Sequence, residues 1–204
     1  TAQNTLGVTR VDALPADAVV AQMQAVVQDI GIQAAKTGML LNQEIIAAVA
    51  AQVQPLGITQ LVVDPVMVSR TGAQLIDDAA IATLRTELIP QATIVTPNRY
   101  EAQILSGLEI STLAEMQAAA RKIYQLGAKA VLVKGGGMSD SLRGVDVWFD
   151  GDRLETLITE TVATPNTHGT GCTLSAAIAA NLALGKDPFT ATGCAKNYVT
   201  TALK

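Results

Sequence analysis

Leu61-Val62-Val63-Asp64-Pro65 reads as a short buried strand that an Asp-Pro pair brings to a stop. Upstream, Asn42 caps a predicted helix whose apolar positions are Ile45, Ile46, Val49 and Val53, and residues 33–37 form a strand ending at Gly38. Before these, Pro15 and Asp17 start a helix that carries Val19, Val20, Met23, Val26, Val27 and Ile30 at helical spacing, and Gly31 closes it. Downstream come a loop with Ser69-Arg70-Thr71-Gly72, a helix over 78–88 and a strand over 93–96 stopped at Pro97-Asn98. Helices over 99–105 and 113–126 follow, then a strand over 130–133. Short β-branched runs alternating with longer helical patterns mark an α/β protein with a mostly parallel sheet.

The period then changes. Residues 145–149 and 154–158 flank Asp150-Gly151-Asp152, which predicts an antiparallel hairpin at one edge of the sheet. Next stands Thr167-His168-Gly169-Thr170-Gly171-Cys172-Thr173, followed directly by the apolar helical run LSAAIAANLALG, and a last helix begins near Phe189. A glycine- and threonine-rich turn opening a helix gathers unpaired backbone N–H groups at the positive end of its dipole, an anion site. Cys172 adds a titratable side chain to that turn, which suggests phosphoryl transfer beyond simple binding.

Composition narrows the classes. A chain of 204 residues with 49% hydrophobic content can bury a substantial core, and without repeats or a Ser- or Pro-rich linker residues 1–204 are expected to form one domain. Fourteen basic against 18 acidic residues, a net charge of −4, no basic run and 3% aromatics argue against a nucleic-acid surface. No apolar stretch reaches the ~20 residues of a membrane span. Two cysteines, Cys172 and Cys194, suit neither a disulfide framework nor a zinc site, so a reducing cytoplasm is expected.

In doubly wound sheets, ligands bind beyond the carboxyl ends of the strands. Those ends carry Lys36-Thr37-Gly38-Met39, Asp64-Pro65-Val66-Met67, Thr96-Pro97-Asn98 with Glu101, and Lys134-Gly135-Gly136, all on the edge that the turn at 169–172 is expected to share. A lysine, two acids and an anion turn on one edge suit ATP with magnesium.

The segments KTGML, DPVM, TPNRYEA, VLVKGG and NTHGTGCTLSAAIAANLALG, with the opening TAQNTLGV, together resemble the hydroxymethylpyrimidine/phosphomethylpyrimidine kinases of thiamine biosynthesis, in the ribokinase-like superfamily. The resemblance implies a three-layer α/β/α fold, ATP and Mg2+ as nucleotide and metal, and a homodimer. Cys172 matches the catalytic position; Gly169, Thr170 and Gly171 match the anion-hole backbone, and Lys134 and Asn98 lie with them on the ATP side. Gln3, Met39 and Val66 match positions lining the pyrimidine pocket, while Asp64 and Glu101 match positions near the metal. It also implies, ahead of Thr1, a strand and glycine-rich turn bearing an aspartate, a βα unit of roughly 30 or more residues, and a tail beyond Lys204. Thr1 to Thr5 match the end of a second strand.

Each residue also has a plainer reading. Cys172 could be a small buried residue at a tight turn, His168 a loop former, Cys194 packing, Met67 core and Met39 either core or pocket wall. Asp64 could simply end its strand, Glu101 be a surface acid in a first helical turn, residues 135–137 only shape a loop, and Arg70 and Arg99 be surface charges. At the level of function, a pyridoxal kinase of the same superfamily and a non-catalytic nucleotide-binding remnant remain alternatives.

Overall fold

A computed structural model describes residues 1–4, 7–67, 75–160 and 162–204; the loop with Ser69 and Arg70 lies outside them. In chain order the elements are β1 (Ala2–Gln3), β2 (Val8–Arg10), α1 (Ala16–Asp29), β3 (Ala35–Thr37), α2 (Gln43–Val53), β4 (Leu61–Val63), α3 (Asp78–Thr83) and β5 (Ile94–Val95). They continue with α4 (Arg99–Ser106), α5 (Leu113–Tyr124), β6 (Val131–Val133), β7 (Asp146–Phe149), β8 (Leu154–Leu157), α6 (Thr170–Ala183) and α7 (Pro188–Ala202). The main sheet has strand order β3-β4-β5-β6-β7-β8. Its first four strands run parallel, and β7 and β8 form the antiparallel hairpin expected at one edge.

The two-residue period of the strands builds the three layers. Leu61, Val63, Val95, Val131, Val133 and Val147 face one apolar cluster, where α2, α3, α4 and α5 pack. Val62, Ile94, Leu132 and Trp148, one residue out of phase, face a second cluster made with α6 and α7. Both faces of each central strand are buried, which is why these strands read as continuous apolar runs.

Two expected elements carry detail that the pattern did not show. The helix predicted over 78–88 stays α-helical only through Thr83; Leu84–Leu88 widen into a π turn and Ile89–Gln91 close as a 3-10 turn around Pro90. Thr83 and Thr86 hydroxyls donate to the carbonyls of Ala79 and Ala82, back-bonding that loosens a helix. The first residues do not join the main sheet. Ala2–Gln3 pair with Val8–Arg10 in a separate, exposed two-stranded antiparallel sheet.

Parallel register sets the working edge. Thr37 pairs with Val63 and Val63 with Val95, and Asn98 bridges to Lys134 just beyond. The strand ends at Thr37, Asp64, Thr96 and Lys134 therefore share one edge.

Candidate active site

Asp64, the first residue past β4, is 3% exposed and forms the hub of that edge. Its Oδ1 accepts the Lys134 ammonium at 2.9 Å and the Thr96 hydroxyl at 3.5 Å, and its Oδ2 accepts the Ser175 hydroxyl at 3.2 Å. Ser175 lies on α6, so the anion turn, β4 and β6 are tied together through one carboxylate. Burial alone would discharge Lys134; the charges of Asp64 and Glu101 and the hydrogen bond to Asp64 outweigh it and hold its pKa above the ordinary lysine value.

The amino end of α6 differs from those of its neighbours. Side chains of Asn42, Asp77, Asn98, Thr112 and Asp187 cap α2, α3, α4, α5 and α7. The cap of α6 is Gly169, in the left-handed region at φ 82°, with no side chain to offer. The first intrahelical bond runs from the Thr173 N–H to the Gly169 carbonyl. The N–H groups of Thr170, Gly171 and Cys172 precede it and face outward with the positive end of the dipole. The Thr170 and Thr173 hydroxyls are used within the turn, on the carbonyls of Thr167 and Gly169. Gly171 allows a close approach: a Cβ there would lie 3.3 Å from the Lys134 ammonium. Cys172 is exposed, contrary to its plainer reading as a buried packing residue.

Glu101 is also not the surface acid of its plainer reading, being 2% exposed. Its Oε2 accepts the Asn98 N–H at 2.8 Å while Asn98 Oδ1 accepts the Glu101 N–H, a reciprocal capping box that fixes the start of α4. The Met67 N–H points at Oε1 from 3.5 Å. Burial raises the Glu101 pKa to about 7, with the Asp64 charge adding to the rise and Lys134 and the Asn98 bond opposing it. Asn98, expected on the nucleotide side, thus has its side-chain oxygen engaged in the cap.

The substrate-side residues are less tightly assembled. Val66 lines a shallow depression, open to solvent, with Thr37, Gly38, Leu40, Asp64 and Ile76. Met39 is half-buried next to this pocket in sequence but is not part of its wall. Gln3 lies 3.5 Å from the His168 ring, so β1 touches the anion turn through the residue expected only to shape it. Two features at this pocket had no counterpart in the sequence reading. The Thr37 hydroxyl is buried without a hydrogen-bond partner, and Leu41 holds a left-handed backbone at φ 71°, a strained conformation for that side chain. Met67 is core, as expected; Cys194 is half-buried, with its sulfur accepting from Lys186 at 3.2 Å. Arg99 stacks over Tyr100.

Ser175 and the buried pair Asp146–Lys196 escaped sequence reading. Their signal was present: a polar residue inside an apolar helical or strand run needs a partner. Its partner is unreadable from local pattern.

A three-layer sheet with an uncapped helix end, a buried lysine and two acids on its carboxyl edge defines a ribokinase-like kinase. The profile of the phosphomethylpyrimidine kinase family matches residues 1–204, and the chain belongs to that family. It is 58% identical over 204 residues to a hydroxymethylpyrimidine/phosphomethylpyrimidine kinase of Synechococcus elongatus, covering 100% of this chain and 77% of that one. The crystal structure of a phosphomethylpyrimidine kinase from Clostridium difficile superposes with a TM-score of 0.86 at 37% identity, over 99% of this chain and 82% of the other. A Staphylococcus aureus pyridoxal kinase in complex with AMP-PCP and pyridoxal gives a TM-score of 0.89 at 34% identity, over 100% and 73%. Among the described residues no helix is long and apolar enough to cross a membrane.

Proposed function

We propose that this chain is an ATP-dependent kinase of thiamine biosynthesis. It phosphorylates 4-amino-5-hydroxymethyl-2-methylpyrimidine and then its monophosphate to the diphosphate, working as a single cytoplasmic kinase domain in a homodimer. The observation that carries the reading is the Lys134 ammonium lodged between Asp64 and the uncapped end of α6. Two positive elements converge there, as a transferring phosphoryl group requires.

In the reaction the bond from the γ-phosphorus to the leaving ADP oxygen breaks as one forms to the hydroxymethyl oxygen. The N–H groups of residues 169–172 hold the charge on the moving group, and Lys134 balances the phosphate oxygens beside it. Cys172, exposed at the amino end of α6, is placed to accept the hydroxyl proton. Described residues contain no cluster of three or more His, Cys, Asp or Glu, but Mg2+ is commonly held by one or two carboxylates, water and phosphate. Asp64 and Glu101 fit that role, and a cation would keep the Glu101 carboxylate ionised. Magnesium would supply charge neutralisation across the phosphates. The unpartnered Thr37 hydroxyl beside Val66 suits a polar atom of a small heterocycle.

The pyridoxal kinase likeness favours one rival substrate, which also carries a hydroxymethyl arm on a six-membered nitrogen ring. Turnover of both with ATP, followed by mass spectrometry of the products, decides. The reading requires pyrimidine mono- and diphosphate at a higher kcat/KM than pyridoxal phosphate. Preference for pyridoxal moves the chain to the rival, and nucleotide binding without transfer to either makes it a binding remnant. Sedimentation equilibrium checks the dimer.

A further inference from the structure

Behind Lys134 lies an ion pair that the reaction itself does not use. Asp146, at the start of β7, and Lys196, on α7, are both buried and meet at 2.6 Å. The Lys196 ammonium also donates to the Gly144 carbonyl at 2.7 Å. The other oxygen of Asp146 accepts the Gly135 N–H at 2.8 Å, and the Gly144 N–H returns to the Gly135 carbonyl at 3.0 Å. Gly135 is thus held at both its N–H and its carbonyl, immediately after Lys134, whose own N–H donates to the Pro97 carbonyl at 2.8 Å. There is no room for anything but glycine, because a Cβ on Gly135 would run into the Val145 carbonyl.

We propose that Lys196 and Asp146 are positioning residues for the nucleotide side of the site: Lys196 orients Asp146, Asp146 holds the Gly135 N–H, and this grip aims Lys134 at Gly171 and Asp64. The inference rests on the kinase reading for its ligand but not for its geometry. A buried ion pair is expensive to desolvate and adds little net stability over a well-packed apolar pair. Its specific product here is the orientation of one carboxylate. Removing only Lys196 leaves Asp146 uncompensated, so the carboxylate turns towards water or takes a proton, and the Gly135 bond weakens. A small displacement of a phosphate-binding group costs up to about a hundredfold in affinity or rate.

The test uses the full chain with Lys196→Met, Lys196→Arg and the double variant Asp146→Asn with Lys196→Met, which is neutral yet keeps an oxygen for the Gly135 N–H. AMP-PCP is the nucleotide probe, and amide exchange at Gly135 is read by NMR. For Lys196→Met the expected result is a Kd for AMP-PCP raised about tenfold to a hundredfold and a Gly135 amide that exchanges faster. The KM for the pyrimidine stays within about twofold of the parent. Both the Arg variant and the neutral double variant recover most of the nucleotide affinity. Should Lys196→Met fail to fold, the double variant against Asp146→Ala with Lys196→Met, which lacks the oxygen, makes the same comparison. Unchanged Gly135 exchange and AMP-PCP affinity in Lys196→Met, or equal behaviour of the two double variants, overturns the inference. If the parent itself binds no AMP-PCP the kinase reading fails, and Gly135 exchange alone still decides the positioning role.

Discussion

Replacing Glu101 by Gln should change how stability depends on pH. Glu101 is buried, and its pKa stands at about 7 against an ordinary 4.5. A carboxyl with a raised folded-state pKa binds its proton more tightly when folded, so the folded state carries the extra proton between those two values. Stability contributed by this group is therefore full below pH 4.5, falls as pH rises through the window and levels off above about 7. At about 1.4 kcal/mol per pH unit the loss amounts to about 3 kcal/mol. Gln at the third helical position still serves the capping box with Asn98, and it does not titrate. Urea unfolding of both proteins at closely spaced pH values, with constant m, reads the difference directly. The parent should lose about 3 kcal/mol relative to Glu101→Gln between pH 4.5 and about 7. Replacing Lys134 by Met should move the upper end of the window to higher pH, because Lys134 opposes the rise. A parent-to-variant difference that stays flat across the window refutes the claim that burial dominates at Glu101.

Other predictions bear on the anion turn and its neighbours. Cys172→Ala should harm the first phosphorylation far more than the second, since the phosphate acceptor of the second step has a pKa of about 6 and needs no base; equal losses in separately assayed turnovers reject the base role. Gly171→Ala should keep or raise the thermal midpoint, because Ala favours the helix by up to about 1 kcal/mol. It should also weaken AMP-PCP binding by about tenfold as the new methyl crowds the Lys134 ammonium, and calorimetry of both properties checks it. Gly135→Ala should cost about 1–3 kcal/mol in urea unfolding, the price of forcing a methyl against the Val145 carbonyl.

Local chemistry made much of this protein readable. Whereas the capping box of Asn98 and Glu101 emerged only in the structure, the apolar runs at 61–63 and 131–133 and the cap at Asn42 act over a few residues, and the structure places them as the pattern predicts. The uncapped glycine turn before α6 was likewise written in Gly169 and Gly171. The strand at Ala2–Gln3 and the helix over 78–88 are also present, but the partner of a two-residue strand and the widening of the helix after back-bonding Thr83 were not written in the local pattern.

The sequence by itself determined the layered α/β architecture, the family and the set of polar strand ends, since each depends on period, caps and punctuation within one segment. Only the tertiary structure decided what those polar groups do to one another. Asp64 meets Lys134 70 residues away and Ser175 111 residues away, and Asp146 meets Lys196 across 50. Such pairs follow from sheet register and helix docking, which bring distant residues within 3 Å or so and exclude water around them. That burial raises the Glu101 pKa, the charges of Asp64 and Glu101 keep Lys134 protonated against it, and Asp146 holds the Gly135 N–H; no local pattern can specify these pairings.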